Sequence, residues 1–162
     1  MTGVATATAL ALVIASGPVH ASAAERSIEE LEVAVTRRVS AIRGEHMRPP
    51  LRTDPDLVRI ARAYSCALLQ RGTLSHQDPS GKTVGDRVLA AGKPYQAVGE
   101  NLASSSGAGD PVDATIGAWM RSTGHRENIL RPDFVETGVG ACRSGQTYYF
   151  TQIFLRPAPT RR

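Results

Sequence analysis

The sequence is poor in lysine, aromatic residues and cysteine, and it has no apolar run long enough to span a membrane. Only 2 of its 19 basic residues are lysines, and aromatic residues make up 5% of the 162. Nucleic-acid binding surfaces usually combine clustered basic residues with aromatic ones. Here the basic residues are scattered among acids, so the net charge of +4 does not indicate a nucleic-acid partner. A membrane-spanning helix needs about 20 apolar residues in a row, and we expect no transmembrane span.

The N-terminus predicts export. Val4 to Ala15 is an apolar, alanine-rich stretch, Gly17-Pro18 breaks it, and Ala21-Ser22-Ala23 has the small residues that a signal peptidase cleaves. No lysine or arginine precedes the stretch, so either the start lies upstream or the signal is weak, and a disordered or buried N-terminal helix is the alternative. We assign residues 1–23 to a signal peptide. Residues 24–162 are expected to form a single domain with a short C-terminal tail, in a secreted, monomeric protein.

The two cysteines agree with an exported protein. Cys66 and Cys142 form an even pair, as an oxidising compartment favours. If bonded, they close a loop of 76 residues, which the chain-entropy model values at about 4–5 kcal/mol. The alternative is two buried free thiols. The absence of a Cys-x-x-Cys spacing argues against a structural zinc knuckle.

The first helix is predicted by a capping box. Ser27 and Glu30 stand at the spacing in which each side chain satisfies the other residue's amide. Apolar residues then recur at helical spacing until Pro49-Pro50 ends the segment. The arginines of this helix, Arg43 among them, are expected on its solvated face.

Three further helices have equally clear starts and stops. Asp54-Pro55 and Asp110-Pro111 both place an N-cap aspartate before a proline at the first helical position. The patterns predict helices from Asp54 to Gly72, from Thr83 to Ala91 and from Asp110 to Met120, with a further helical turn over 125–130.

The C-terminal third changes to the period of a β-strand. Ser144-Gly145 is a turn between Val139 and the segment Thr147 to Leu155, which predicts a β-hairpin. The second strand is apolar on both of its faces, so it needs layers on both sides. We therefore predict an α+β fold, a three-layer α-β-α sandwich with a small antiparallel sheet between helices. Ser104 to Gly109 is expected to be a loop.

Three titratable residues stand at junctions and not on amphipathic stripes: His76, Glu100 and His125. Two imidazoles and a carboxylate suit a zinc ion with an open fourth position. The same set suits a general base and the residue that orients it. The alternative is structural, with both histidines bonded to loop backbones and Glu100 capping a turn. Arg87 and Arg126 are candidates to receive an anion, although exposed positions are the default for arginine.

Four separated strings in this chain occur in the same order in a known family. They are Leu74-Ser-His76 with Asp78 and Gly81, Gly99-Glu-Asn-Leu-Ala103, Trp119-x-x-Ser-x-Gly-His125-x-x-Asn-Ile-Leu130, and Gly138-x-Gly140 before Tyr149-x-Thr-Gln152-x-Phe154. In order and spacing they resemble the bacterial branch of the CAP superfamily of cysteine-rich secretory, antigen five and pathogenesis-related proteins. The resemblance covers about residues 30 to 156.

The resemblance implies an α-β-α sandwich and a cleft with two histidines and two acids, which holds a divalent metal in some members. His76, Glu100 and His125 fall on three of those four positions. At the fourth, where the eukaryotic branch has glutamate, this chain has Ser122. A hydroxyl is a poor metal ligand, so a water molecule would have to complete a site for Zn²⁺ or another divalent cation.

Asn101 and Gln152 are expected to hydrogen-bond within or beside this cleft and to fix the orientation of the histidines, with Ser122 as a third supporting residue. The resemblance favours a non-catalytic extracellular protein that binds a lipid, another hydrophobic ligand or a partner protein, with no cofactor required. The alternative is a metal-assisted hydrolase or peptidase that uses His76 or His125 as base and Glu100 as orienter. A third hypothesis is a purely structural scaffold.

Overall fold

A computed structural model describes residues 26–159, so the signal peptide expected over residues 1–23 lies outside the described residues. Within the described range the chain forms five helices and four strands. The helices are α1 (Ile28–Glu45), α2 (Pro55–Arg71), α3 (Val84–Ala90), α4 (Pro111–Arg121) and α5 (Thr123–Leu130). The strands are β1 (Arg52–Thr53), β2 (Tyr95–Ser106), β3 (Glu136–Ser144) and β4 (Thr147–Pro157).

The helices α1 to α4 begin where their capping residues predict, whereas α5 begins at Thr123, two residues before the predicted helical turn, without a side-chain cap. The Glu30 amide donates to the Ser27 hydroxyl, and the Ser27 amide donates to the Glu30 carboxylate, which completes the capping box of α1. The Asp54 carboxylate accepts from the first amides of α2. Gly72 ends α2 with a φ of 64°, a left-handed conformation that glycine adopts without steric cost. The local signals were therefore sufficient to position these elements.

The α+β three-layer arrangement is confirmed, but the sheet is mixed and not wholly antiparallel. Its strand order is β1-β3-β4-β2, with β4 antiparallel to both of its neighbours. The two-residue strand β1 runs parallel to β3, because the Arg52 amide donates to Val135 and the Asp54 amide to Thr137. Two residues are too few to show a strand period, so the sequence did not reveal β1.

The expectation that Ser104 to Gly109 form a loop was wrong for its first three residues. Ser104 to Ser106 continue β2, in register with Tyr149 to Thr147 of β4. Serine favours turns, but pairing along the length of an apolar central strand overrides that local preference. The resulting β2 is a 12-residue edge strand.

The sheet lies between two helical layers, with α2 and α3 on one face and α1, α4 and α5 on the other. As expected, β4 is apolar on both faces: Phe150 and Phe154 pack towards α1 and α4, while Ile153 and Leu155 pack towards α2. The α2 helix contacts β3 backbone to backbone at two glycines, since a Cβ on Gly140 would lie 1.9 Å from a backbone nitrogen of α2. The Cys66–Cys142 disulfide joins the same two elements, as the even cysteine count predicted.

The expectation that Arg43 is solvated was wrong, because its side chain is buried with 1% exposure. Its guanidinium donates to the backbone carbonyls of Pro49, Ile129 and Arg131. The last carbonyls of a helix have no partner within the helix. Arg43 supplies donors beside the end of α5 and thereby fastens α5 to α1.

Candidate functional site

The candidate site is built around the edge strand β2. Successive residues of a strand point to opposite faces of the sheet. Glu100 pairs with Ile153 and faces the α2–α3 layer, whereas Asn101 pairs with Gln152 and faces the layer that contains α5. Because β2 has no strand on its outer side, groups from both layers can meet around its edge.

On the α2–α3 face, Glu100 holds His76. The Nδ1 atom of His76 lies 2.8 Å from Oε1 of Glu100, whose side chain is 2% exposed, while the imidazole is 59% exposed. The hydrogen bond to Glu100 raises the pKa of His76 above its ordinary value, against the opposing effects of burial and of the Arg87 charge. The buried carboxylate thus orients the ring and stabilises its protonated form.

The second oxygen of Glu100 is bound by Arg87, which donates from its guanidinium to Oε2. The guanidinium also lies 3.4 Å from the centre of the Tyr64 ring and donates to the carbonyl of Lys82. The side chain of Arg87 is 13% exposed, so the surface position that is the default for arginine is wrong here. A buried carboxylate needs a charged partner, and this requirement draws Arg87 inwards.

On the other face, Asn101 fixes the start of α5. Its side-chain amide donates to the backbone carbonyl of His125 at 3.0 Å, and its carbonyl accepts from Asn128 at 2.9 Å. His125 is half-buried, and burial lowers its pKa, helped by the nearby charge of His76. The two histidines therefore differ, with protonation favoured at His76 and disfavoured at His125.

Asn128 is a site residue that the sequence analysis did not single out. It stands three residues after His125, one helical turn further along α5, and lies within a string that was quoted for the resemblance. Its amide also donates to the backbone carbonyl of Glu100 at 3.4 Å. The helical spacing from His125 was the signal that could have identified it.

Ser122 and Gln152 are the two other residues that were expected to support the cleft. Ser122 joins α4 to α5, and its side chain forms no capping hydrogen bond to α5. Gln152 is fully buried beneath the sheet surface and donates to the Thr137 hydroxyl at 3.1 Å. Among the described residues, neither side chain hydrogen-bonds to His76 or His125.

Glu100 is not free to ligate a divalent cation as the side chains stand. Within residues 26–159, no group of three or more His, Cys, Asp or Glu residues is placed to hold a metal ion. Nδ1 of His76 points at Glu100, and the other carboxylate oxygen is bound by the Arg87 guanidinium. The zinc site expected at His76, Glu100 and His125 from the resemblance stays a prediction, in which Glu100 would have to give up one of these partners.

A groove of about 570 Å³ lies beside this cluster, between α2, α3 and the loop that joins them. Its apolar lining includes Ile60, Ala63, Tyr64, Ala67, Ala90 and Ala91. Four basic side chains border it, from Arg59, Arg71, Lys82 and Arg87. Arg87 belongs to both the groove and the Glu100 cluster, so the two features are continuous.

The family follows from comparison with known proteins. Residues 36–154 match the family described as CAP, the cysteine-rich secretory protein family. The chain belongs to the CAP family. This CAP domain is 34% identical over 134 residues to the uncharacterized protein YkwD of Bacillus subtilis, covering 83% of the chain and 50% of YkwD. It is 28% identical over 117 residues to the uncharacterized membrane protein YlbC of the same organism, covering 72% of the chain and 32% of YlbC. The chain thus spans half or less of the length of these relatives.

Solved structures agree with the fold. An outer surface protein of Borrelia burgdorferi superposes with a TM-score of 0.74 at 20% identity, over 82% of this chain and 97% of that one. An extracellular protein of Bacillus anthracis that contains an SCP domain gives a TM-score of 0.67 at 29% identity, over 80% of this chain and 42% of that one. In the described part of the CAP domain, no helix is both long and apolar enough to cross a membrane.

Proposed function

We propose that this CAP domain is an extracellular, non-catalytic binding protein whose α2–α3 groove takes up a hydrophobic ligand with an acidic end. The observation that carries the proposal is the groove itself, an apolar trough with basic residues at its border. Its volume of about 570 Å³ lies within the usual range of small-molecule sites, roughly 300–1,000 Å³.

The lining suits an alkyl chain. Burial of each methylene group contributes about 0.8 kcal/mol, and Ile60, Ala67 and Ala91 provide apolar surface along the groove. The small alanines leave the space open, since a larger residue at the same position would fill it. Burial of several methylenes in the groove therefore contributes several kcal/mol to binding.

The charges at the border suit an acidic head group. The acids at the groove are already engaged, because Asp78 accepts from the backbone of Ser80 and Lys82 and Asp86 caps α3. The exposed heads of Arg71 and Lys82 are available to a carboxylate or phosphate. A fatty acid or a related lipid combines both requirements.

An extracellular location is supported by three observations. The N-terminal residues have the composition of an export signal, Cys66 and Cys142 form a disulfide, and two structural neighbours are described as outer surface and extracellular proteins. We extend the proposal to a protein that works outside the cell.

The experiment is a titration with a fluorescent fatty acid. Ala67→Trp fills the groove, and Ala118→Trp adds the same side chain at an exposed position of α4 in the opposite layer. We expect the first variant to weaken binding by at least about tenfold, or about 1.4 kcal/mol, because the indole occupies the space that the alkyl chain would fill, and the second to bind as the wild type does. Equal binding by both variants would overturn the groove as the site.

A second experiment tests the alternative of hydrolysis. Ester and peptide substrates are incubated with the wild type and with His76→Ala, and circular dichroism checks that the variant is folded. The binding proposal expects no turnover that depends on His76. Turnover that disappears in the folded His76→Ala variant would favour the hydrolase instead.

A further inference from the structure

The cluster contains a cation supplied by the protein itself, the guanidinium of Arg87. We infer that Arg87 takes the place of a metal ion at Glu100, so that Glu100 cannot ligate a divalent cation while Arg87 is in place and becomes available to one only when Arg87 is removed. The inference does not depend on the ligand of the α2–α3 groove.

Both carboxylate oxygens of Glu100 are engaged. A metal ion ligated by Glu100 needs one of these oxygens, whichever ring nitrogen of a histidine completes the site. Oε1 of Glu100 is bonded to Nδ1 of His76 at 2.8 Å, so that nitrogen faces the carboxylate and not an ion between them. Oε2 is bonded to the Arg87 guanidinium. Both oxygens that would ligate already have partners.

Contacts on several sides hold Arg87 in place. Its guanidinium lies on the Tyr64 ring at 3.4 Å and donates to the Lys82 carbonyl at 3.2 Å. The α3 helix that carries it begins at a capping box of Thr83 and Asp86. Arg87 is therefore a fixed part of the cluster, and a metal ion could not reach Glu100 without breaking these contacts.

The positive charge of Arg87 also opposes a metal ion at Glu100. A guanidinium stays charged at every physiological pH, and the side chain of Glu100 is only 2% exposed. A divalent cation at Glu100 would have to approach this fixed positive charge where solvent screens poorly. Displacing Arg87 would in turn break its contacts with the Tyr64 ring and the Lys82 carbonyl. Both routes disfavour the metal.

The experiment measures zinc binding by calorimetry near neutral pH, on the protein with its disulfide formed. Arg87→Met removes the charge and keeps much of the side-chain length. Arg71→Met is the matched control, because it removes a positive charge from the same groove without uncovering Glu100. A third protein combines Arg87→Met with Glu100→Gln, and a fourth carries Glu100→Gln alone.

We expect the wild type and Arg71→Met to bind no zinc through Glu100. Arg87→Met is expected to bind one equivalent at least about tenfold more tightly than the wild type, in the range typical of changes around metal ligands. The added Glu100→Gln substitution should abolish that gain. If Arg87→Met does not fold, Arg87→Gln replaces it.

Three results would overturn the inference: zinc binding by the wild type that Glu100→Gln removes, an equal gain in Arg71→Met, or folded Arg87 variants that bind no more zinc than the wild type. The calorimetric measurement of zinc binding needs no fatty-acid ligand, and the fatty-acid titration of the groove needs no metal. Failure of this inference is therefore distinguishable from failure of the proposed function.

Discussion

The imidazole Nδ1 of His76 lies 2.8 Å from Oε1 of Glu100, so a loop residue after α2 is tied to a buried carboxylate on the edge strand β2. The bond joins two positions that are 24 residues apart in the chain. Because it favours the protonated ring, it couples the packing of this loop to pH.

Replacing His76 by glutamine should therefore cost more stability in acid than in alkali. The pKa of His76 is raised in the folded protein, so its stabilising contribution is complete below the ordinary value of about 6.5 and fades as the pH rises through the raised value. The imidazole is 59% exposed, and we expect a maximum effect below about 1 kcal/mol. Urea unfolding at acid and alkaline pH measures the difference. His46→Gln, at an exposed histidine, is the control, and a loss that is equal at both pH values contradicts the prediction.

Asn101 and Asn128 should act as one unit. Asn128 donates to Asn101, and Asn101 donates to the His125 carbonyl, so removing either side chain leaves a polar group of the other without its partner. We expect Asn101→Ala and Asn128→Ala each to cost about 1–3 kcal/mol. The double variant should cost less than the sum, as measured by urea unfolding. Additive losses would show that the two side chains act independently.

Gly140→Ala should disrupt the contact of α2 with β3. A Cβ at this position would lie 1.9 Å from the backbone nitrogen of Arg62, and backbone atoms cannot move aside as a flexible side chain can. The expected loss of stability is at least about 1–3 kcal/mol. Gly44→Ala is the control, because Gly44 lies in α1 with no atom near the added Cβ, and alanine favours the helix. Similar thermal stability of the two variants would contradict the packing described here.

The disulfide should contribute strongly to stability. Cys66 and Cys142 are separated by 76 residues, and a loop of this length restricts the unfolded chain by about 4–5 kcal/mol in the entropy model. Replacing both cysteines by serine should lower the free energy of unfolding by an amount up to that value, measured by chemical denaturation. An unchanged free energy would mean that the unfolded chain is already restricted without the bond.

The sequence predicted those features whose cause is local. Ser27, Asp54 and Gly72 fix helix ends through bonds to their own neighbours. The two apolar faces of β4 indicated that a layer packs on each side of the sheet. Features set by distant partners were missed. β1 exists only because its two residues pair with β3, and Arg43 is buried only because carbonyls at the end of α5 need donors.

The candidate site divides in the same way. The family strings brought together His76, Glu100 and Asn101, and the structure places all three on or against β2. The inward position of Arg87 could not be read from its helix, because it results from the charge of a carboxylate that lies 13 residues later. The sequence therefore did not indicate that a guanidinium lies against Glu100.

The most direct test of the proposed binding function is native mass spectrometry of the oxidised protein after incubation with lipid vesicles that contain free fatty acids. We predict that the wild type and Ala118→Trp retain a mass that matches one fatty acid, and that Ala67→Trp does not. A bare mass for the folded wild type, or equal retention by Ala67→Trp, would contradict a ligand site in the α2–α3 groove.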